Sequence, residues 1–122
     1  MHWLLVFVGG GLGAMARHGM GRAGLALLGP GFPWWTIAVN VSGCFAIGLL
    51  AGLFGVQEAG QNLRLFLIVG FLGGFTTFSA FSLDALALWE RGSPLHALFY
   101  VAASLVLSLL AAAIGLLASR LA

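Results

Sequence analysis

The chain is 122 residues long, 61% hydrophobic and 7% charged, with a formal charge of +2 from five arginines against three acids. A soluble domain devotes about a quarter of its residues to charge, so this chain has no polar surface to turn toward water, and a bilayer is its expected solvent. The few arginines form no basic patch for nucleic acid. No metal-spaced His or Cys set, no paired acids and no nucleophile beside a base stands out, so no enzyme is expected.

A spanning helix needs about 20 mostly apolar residues, and four segments meet that need. The first is expected at residues 3–28, stopped by GPGFP. It lacks the basic n-region of a cleavable signal and runs on into a Gly-rich, Arg-containing segment. The second covers 34–54 and stops near GVQEAGQN; the third covers 63–89 and stops at ERGSP; the fourth covers 95–119. Short loops make consecutive helices antiparallel neighbours. Trp3, Trp34, Trp35 and Trp89 fall at predicted helix ends, where indole favours the membrane interface. The expected fold is an all-α membrane protein, a single four-helix transmembrane domain over 1–122.

The first segment carries Arg17, well inside the apolar stretch, and Gly9 and Gly13 four residues apart. A buried arginine with no acid nearby in sequence calls for an anion or a carbonyl as partner. In the second segment Gly48 and Gly52 repeat the small-residue spacing that lets helices approach closely in lipid. Asn40 lies about two turns in, placed either for a helix–helix hydrogen bond or for a ligand. Cys44, the only cysteine, reads as a small buried hydrophobe.

The third segment contains GFLGGFTTFSAFSLD, residues 70–84, where glycines, hydroxyls and phenylalanines crowd together. Residues 63–72 span about 15 Å of helix and 78–89 about 18 Å, so a break at GGFTT falls near the bilayer midplane. Unwound backbone is tolerated at that depth only when it is buried in protein or lines a cavity, and its free carbonyls and amides can hold ions. Phe78 and Phe81 sit on nearby faces of the resumed helix, with Ser82 one turn after Phe78. A ring edge is positive and attracts an anion weakly. Asp84 is expected as a near-interface cap or as a partner for an arginine. In the fourth segment Tyr100, Ser104 and Ser108 recur at i, i+4 and i+8 and line one face. His2, His96 and Glu58 fall at ends or loops, where no chemistry is expected.

Arg64 and Arg120 lie on one side of the predicted membrane, Arg22 and Arg91 on the other. A two-against-two count gives no instruction about orientation and permits insertion both ways. A lone bundle of four helices fills its own centre, so transport implies an oligomer.

GGLGAMAR (10–17), NVSGCF (40–45) and GFLGGFTTFSAFS (70–82) resemble, in order and over essentially the whole chain, the small bacterial fluoride channels of the Fluc or CrcB family. The resemblance implies a dual-topology protein, two antiparallel copies forming a homodimer with two separate pores in the bacterial cytoplasmic (inner) membrane. It implies passive export of fluoride and resistance to it. Phe78 and Phe81 would line the pore with Asn40. Thr77, Ser82 and the Tyr100–Ser104–Ser108 track would supply hydroxyls, and Arg17 would sit near the vestibule. The backbone carbonyls of Gly73 and Thr76, from both subunits, would hold a structural sodium ion. His18, Ala80 and Phe75 depart from the residues usual at those places. Two alternatives remain. A small multidrug-type proton-coupled exporter needs a carboxylate in the first helix, which has neither Asp nor Glu. A non-transporting assembly subunit would have no need of a midplane break.

Overall fold

A computed structural model describes residues 1–56 and 60–121, so Glu58 lies outside the described residues. The elements are α1 (His2–Leu28), α2 (Trp34–Val56), α3 (Gln61–Arg64), a π-helical segment (Leu65–Leu72), α4 (Gly73–Phe75), α5 (Phe78–Glu90) and α6 (Pro94–Leu121). Several boundaries have a local cause. Gly29 ends α1 with φ 76°, a conformation that costs a glycine little, and its N–H donates to Leu25 at 3.0 Å. Pro30 and Pro33 cannot continue a helix. Gly92, with φ 79°, turns the chain after α5, and Pro94 opens α6 at the position where a missing N–H costs nothing.

Among the described residues three helical runs are long and apolar enough to cross a membrane by length and composition: Trp34–Gly55, Gln61–Glu90 and Pro94–Leu121. The first helix is 27 residues long, about 40 Å at 1.5 Å per residue, yet it is not among them. Seven glycines together with Arg17, His18 and Arg22 dilute its apolar character. Large apolar side chains stand exposed around the bundle, Phe7, Leu95, Leu109 and Ile114 among them. Helices apolar on all sides suit a lipid surround.

The packing is not the sequential order that short loops suggest. The principal partner of α2 is α6, while α1 lies along the π-helical segment and α4. The two halves of the third span thus belong to different neighbours, the first half to α1 and α5 to α6. Glycines set both close approaches. A Cβ on Gly13 would strike the carbonyl of Phe71, and one on Gly48 would strike the carbonyl of Ala112. Two buried clusters fill the interior. Ile37, Phe81, Leu88, Ala97 and Tyr100 form one, and Val39, Leu72 and Phe75 form the other. Both draw on α2, which therefore stands between the halves of the broken span.

The break itself is narrower than the GGFTT motif. Gly73 and Gly74 are helical, and only Thr76 (φ −79°, ψ 153°) and Thr77 (φ −149°, ψ 120°) are extended. Gly74 serves the crossing, because a Cβ there would strike the carbonyl of Gly10. The π-helical turns before it are a further departure from regular helix, a feature often found beside functional sites.

Gly13→Val should force α1 off the π-helical segment and lower stability by about 1–3 kcal/mol, the cost of overpacking. Gly19→Ala, at a position with open space around it, should leave stability unchanged or raise it. Thermal unfolding of the two variants in detergent would check the contrast, and equal midpoints would contradict the crossing.

Candidate functional site

The interruption at Thr76 and Thr77 frees backbone groups in an apolar surround, where each unpaired group is costly. One side chain takes up both groups of Thr77. Its N–H donates to Asn40 Oδ1 at 2.8 Å, and Asn40 Nδ2 donates to the Thr77 carbonyl at 3.0 Å. Thr77 then caps the helix that follows, its Oγ1 accepting from the Ala80 N–H at 3.1 Å. Thr76 folds back, with N–H and Oγ1 both donating to the Leu72 carbonyl at 3.0 and 2.9 Å. Arg17 Nε donates to the Gly74 carbonyl at 3.2 Å and ties α1 to the same place. The partner of Arg17 is therefore a carbonyl.

The break withdraws helical donors from the carbonyls that precede it. The N–H of Thr77, which a continuous helix would send to Gly73, goes to Asn40. The N–H of Ala80, which would reach Thr76, goes to Thr77 Oγ1. Gly73 and Thr76 are two of the residues whose carbonyls lose a helical donor at the break. Among the described residues no cluster of three His, Cys, Asp or Glu side chains could hold a metal.

Beside the break lies a groove of about 270 Å³ between α2, α5 and α6. It collects Asn40, Thr77, Phe78, Phe81, Ser104 and Ser108, with Cys44 and Thr76 also on its wall. The rings of Phe78 and Phe81 lie 5.3 Å apart, centroid to centroid. Phe81 is buried, but Phe78 is 73% exposed, so the groove is open along that side. Ser104 is 5% exposed, and its Oγ has no hydrogen-bond partner. A buried hydroxyl left unpaired costs free energy. No charged side chain lines this groove.

Two sequence candidates lie elsewhere. Ser82 Oγ donates to the Phe78 carbonyl at 3.0 Å, a bond within its own helix. Tyr100 is fully buried, and its hydroxyl donates to Asp84 Oδ2 at 3.0 Å. The hydroxyl of Thr36 donates to the same oxygen at 2.7 Å. Asp84 is therefore held by two hydroxyls, in place of the cap or arginine partner anticipated. Thr36 escaped the sequence reading, although it stands one helical turn before Asn40 and shares its face.

A second groove, of about 300 Å³, is lined by Arg17, His18, Arg22, Trp35 and Thr36 and reaches Thr77 and Ala80 at the break. Its basic groups raise the local concentration of anions. The two grooves share Thr77: one is lined by arginines, the other is neutral and carries hydroxyls and aromatic rings.

Asn40→Ala should strand both groups of Thr77, at about 1–3 kcal/mol for each unsatisfied group. Asn40→Asp keeps the acceptor for the Thr77 N–H but sets a second oxygen against the Thr77 carbonyl, so protection of the Thr77 amide should survive in it and be lost in Asn40→Ala. Hydrogen exchange in micelles would check this at the Thr77 amide. Protection unchanged in Asn40→Ala would contradict the role of the side chain.

Residues 4–116 match the family model described as CrcB-like protein, Camphor Resistance (CrcB). A curated relative from Rhizobium etli, named Fluoride-specific ion channel FluC, is 54% identical over 118 residues, covering 96% of this chain and 94% of its own length. Relatives of the same name from Sphingopyxis alaskensis and Paracoccus denitrificans are 53% and 52% identical. The first alignment covers 94% of this chain and 92% of the relative, the second 97% and 94%.

Proposed function

The chain belongs to the CrcB-like family, and on that premise we propose that it is a fluoride-specific ion channel. It is a membrane protein and acts passively, with no enzyme chemistry. In this proposal it lies in the bacterial inner membrane as an antiparallel homodimer with two pores and lets cytoplasmic fluoride leave down its gradient. Hydrogen fluoride crosses the bilayer uncharged and dissociates inside, and the anion needs a protein path out. The observation that carries the proposal is the groove in which Asn40, Thr77, Phe78, Phe81, Ser104 and Ser108 meet beside the break.

Fluoride is small and strongly hydrated, so a pore must replace the water it strips. The unpartnered Ser104 hydroxyl, the Ser108 hydroxyl and the second N–H of Asn40 are neutral donors for that task. The edges of Phe78 and Phe81 add weak attraction through their quadrupoles. A fixed cation in the narrow path would hold the ion too long, since conduction needs binding weak enough to release. The arginines instead line the neighbouring groove, Arg17 where it reaches the break and Arg22 further along α1. Tyr100 acts by positioning, holding Asp84 together with Thr36.

The exposed ring of Phe78 leaves the groove unclosed in one protomer, and a second, inverted copy would supply the missing wall. The equal division of Arg64 and Arg120 against Arg22 and Arg91 suits insertion in both orientations. The same pairing would bring together the Gly73 and Thr76 carbonyls of two copies, and these would hold sodium. When bound, that ion would supply positive charge against the carbonyl dipoles at the break.

Vesicles loaded with potassium fluoride or potassium chloride, with valinomycin to carry potassium, test the proposal. Fluoride should be released rapidly and chloride no faster than from empty vesicles. Ser104→Ala removes one hydrogen bond to the anion, worth about 1.5–3 kcal/mol, and should slow release at least about tenfold. Phe78→Ile should also slow it. Absence of fluoride release from folded protein would sink the channel and bring the assembly-subunit reading forward.

A further inference from the structure

Cys44 is the chain's single cysteine and a free thiol. It is half-buried, and it does not sit in packed hydrocarbon as its apolar sequence context suggests. It follows Asn40 by four residues, so the two share one face of α2, and it lines the groove with Ser104 and Ser108. The second observation is independent of the thiol. Ser104 Oγ, on the opposite wall, is buried without a hydrogen-bond partner.

A thiol reacts as its thiolate and is inert when sealed in apolar surroundings. Here the half-buried thiol borders an open groove whose walls also carry Ser104 and Ser108, so a small uncharged electrophile can reach it. The groove's volume is about 270 Å³, and any group added at Cys44 occupies space that the anion needs. We propose that Cys44 is a modification site within the conduction groove, open to small uncharged thiol-directed electrophiles, and that its modification blocks flux. The blocking half rests on the channel proposal above.

Methyl methanethiosulfonate is the probe. The Cys44 thiolate attacks the methylthio sulfur, a new S–S bond forms, and the bond to the sulfonyl sulfur breaks. Methanesulfinate leaves with the electron pair, and the thiol proton goes to water. Cys44 is oxidised to a mixed disulfide while the sulfonyl group is reduced to sulfinate. A dithiol reductant reverses the step.

The experiment uses the full chain in liposomes and reads two quantities, intact mass for modification and fluoride efflux for function. Each variant is compared with its own untreated rate. The expected result is modification of the folded wild type with loss of most of its flux, recovery on reduction, and no response in Cys44→Ala. Labelling that occurs only after denaturation would overturn the proposal. So would complete labelling with flux unchanged. A second variant, Ser104→Leu, fills the groove from the opposite wall and should slow labelling of Cys44. Unchanged labelling would place the thiol outside the groove and overturn the assignment. If the untreated protein releases no fluoride, the channel proposal and the block both fail. The labelling rates of wild type and Ser104→Leu then still decide whether the thiol faces the groove.

Discussion

The structure turns on a pair of hydrogen bonds between one amide side chain and one backbone residue. A span interrupted in an apolar medium must satisfy the groups it frees, because no water is present to do so. Asn40 answers with donor and acceptor together, at 3.0 and 2.8 Å from the two backbone groups of Thr77. No single hydroxyl could reach both with that geometry, and a carboxylate would offer acceptors alone. The interruption is thereby fixed to α2, and α2 is fixed to α6 where Gly48 meets the Ala112 backbone. The groove lies between these elements, so its shape follows from the same contacts.

Charge is distributed with equal economy. Arg17 is spent on the Gly74 carbonyl and holds α1 against the break. Asp84 takes the hydroxyls of Thr36 and Tyr100 on one oxygen, which keeps an acid out of the groove. What faces the groove is neutral: an amide, hydroxyls, a thiol and aromatic rings. For the proposed channel this separation matters, since a mouth that concentrates anions and a path that binds them weakly are different tasks.

Much of this was legible in the chain. Composition fixed the solvent, and the Pro and Gly punctuation at 29–33 and 92–94 marked where helices stop. Five of the groove's residues, Asn40, Phe78, Phe81, Ser104 and Ser108, lie on helices, whereas Thr77 enters it from the extended backbone of the break. The glycine pairs announced close approach, since small residues at i, i+4 have few other uses in lipid. Other features depended on three dimensions. Which helices pair is decided by matching surfaces, and α2 chose α6 over the third span's first half. Tyr100 shares a face with Ser104 and Ser108, yet Asp84 captures its hydroxyl, and only the approach of α5 to α6 reveals that. The π-helical turns at Leu65–Leu72 carry no local sequence mark, because Leu, Phe, Ile and Val suit an α-helix equally well. GGFTT marks the interruption, but within it the threonines carry the extended backbone while Gly74 serves packing, a division that the motif alone does not display.

The most direct test of the channel is the reversal potential of current through the purified protein in a planar bilayer, with a fluoride gradient across it and chloride equal on both sides. A selective fluoride path predicts reversal at the fluoride equilibrium potential and no displacement when a chloride gradient is added. Reversal near zero, or movement with the chloride gradient, would contradict the claim that this neutral groove selects fluoride.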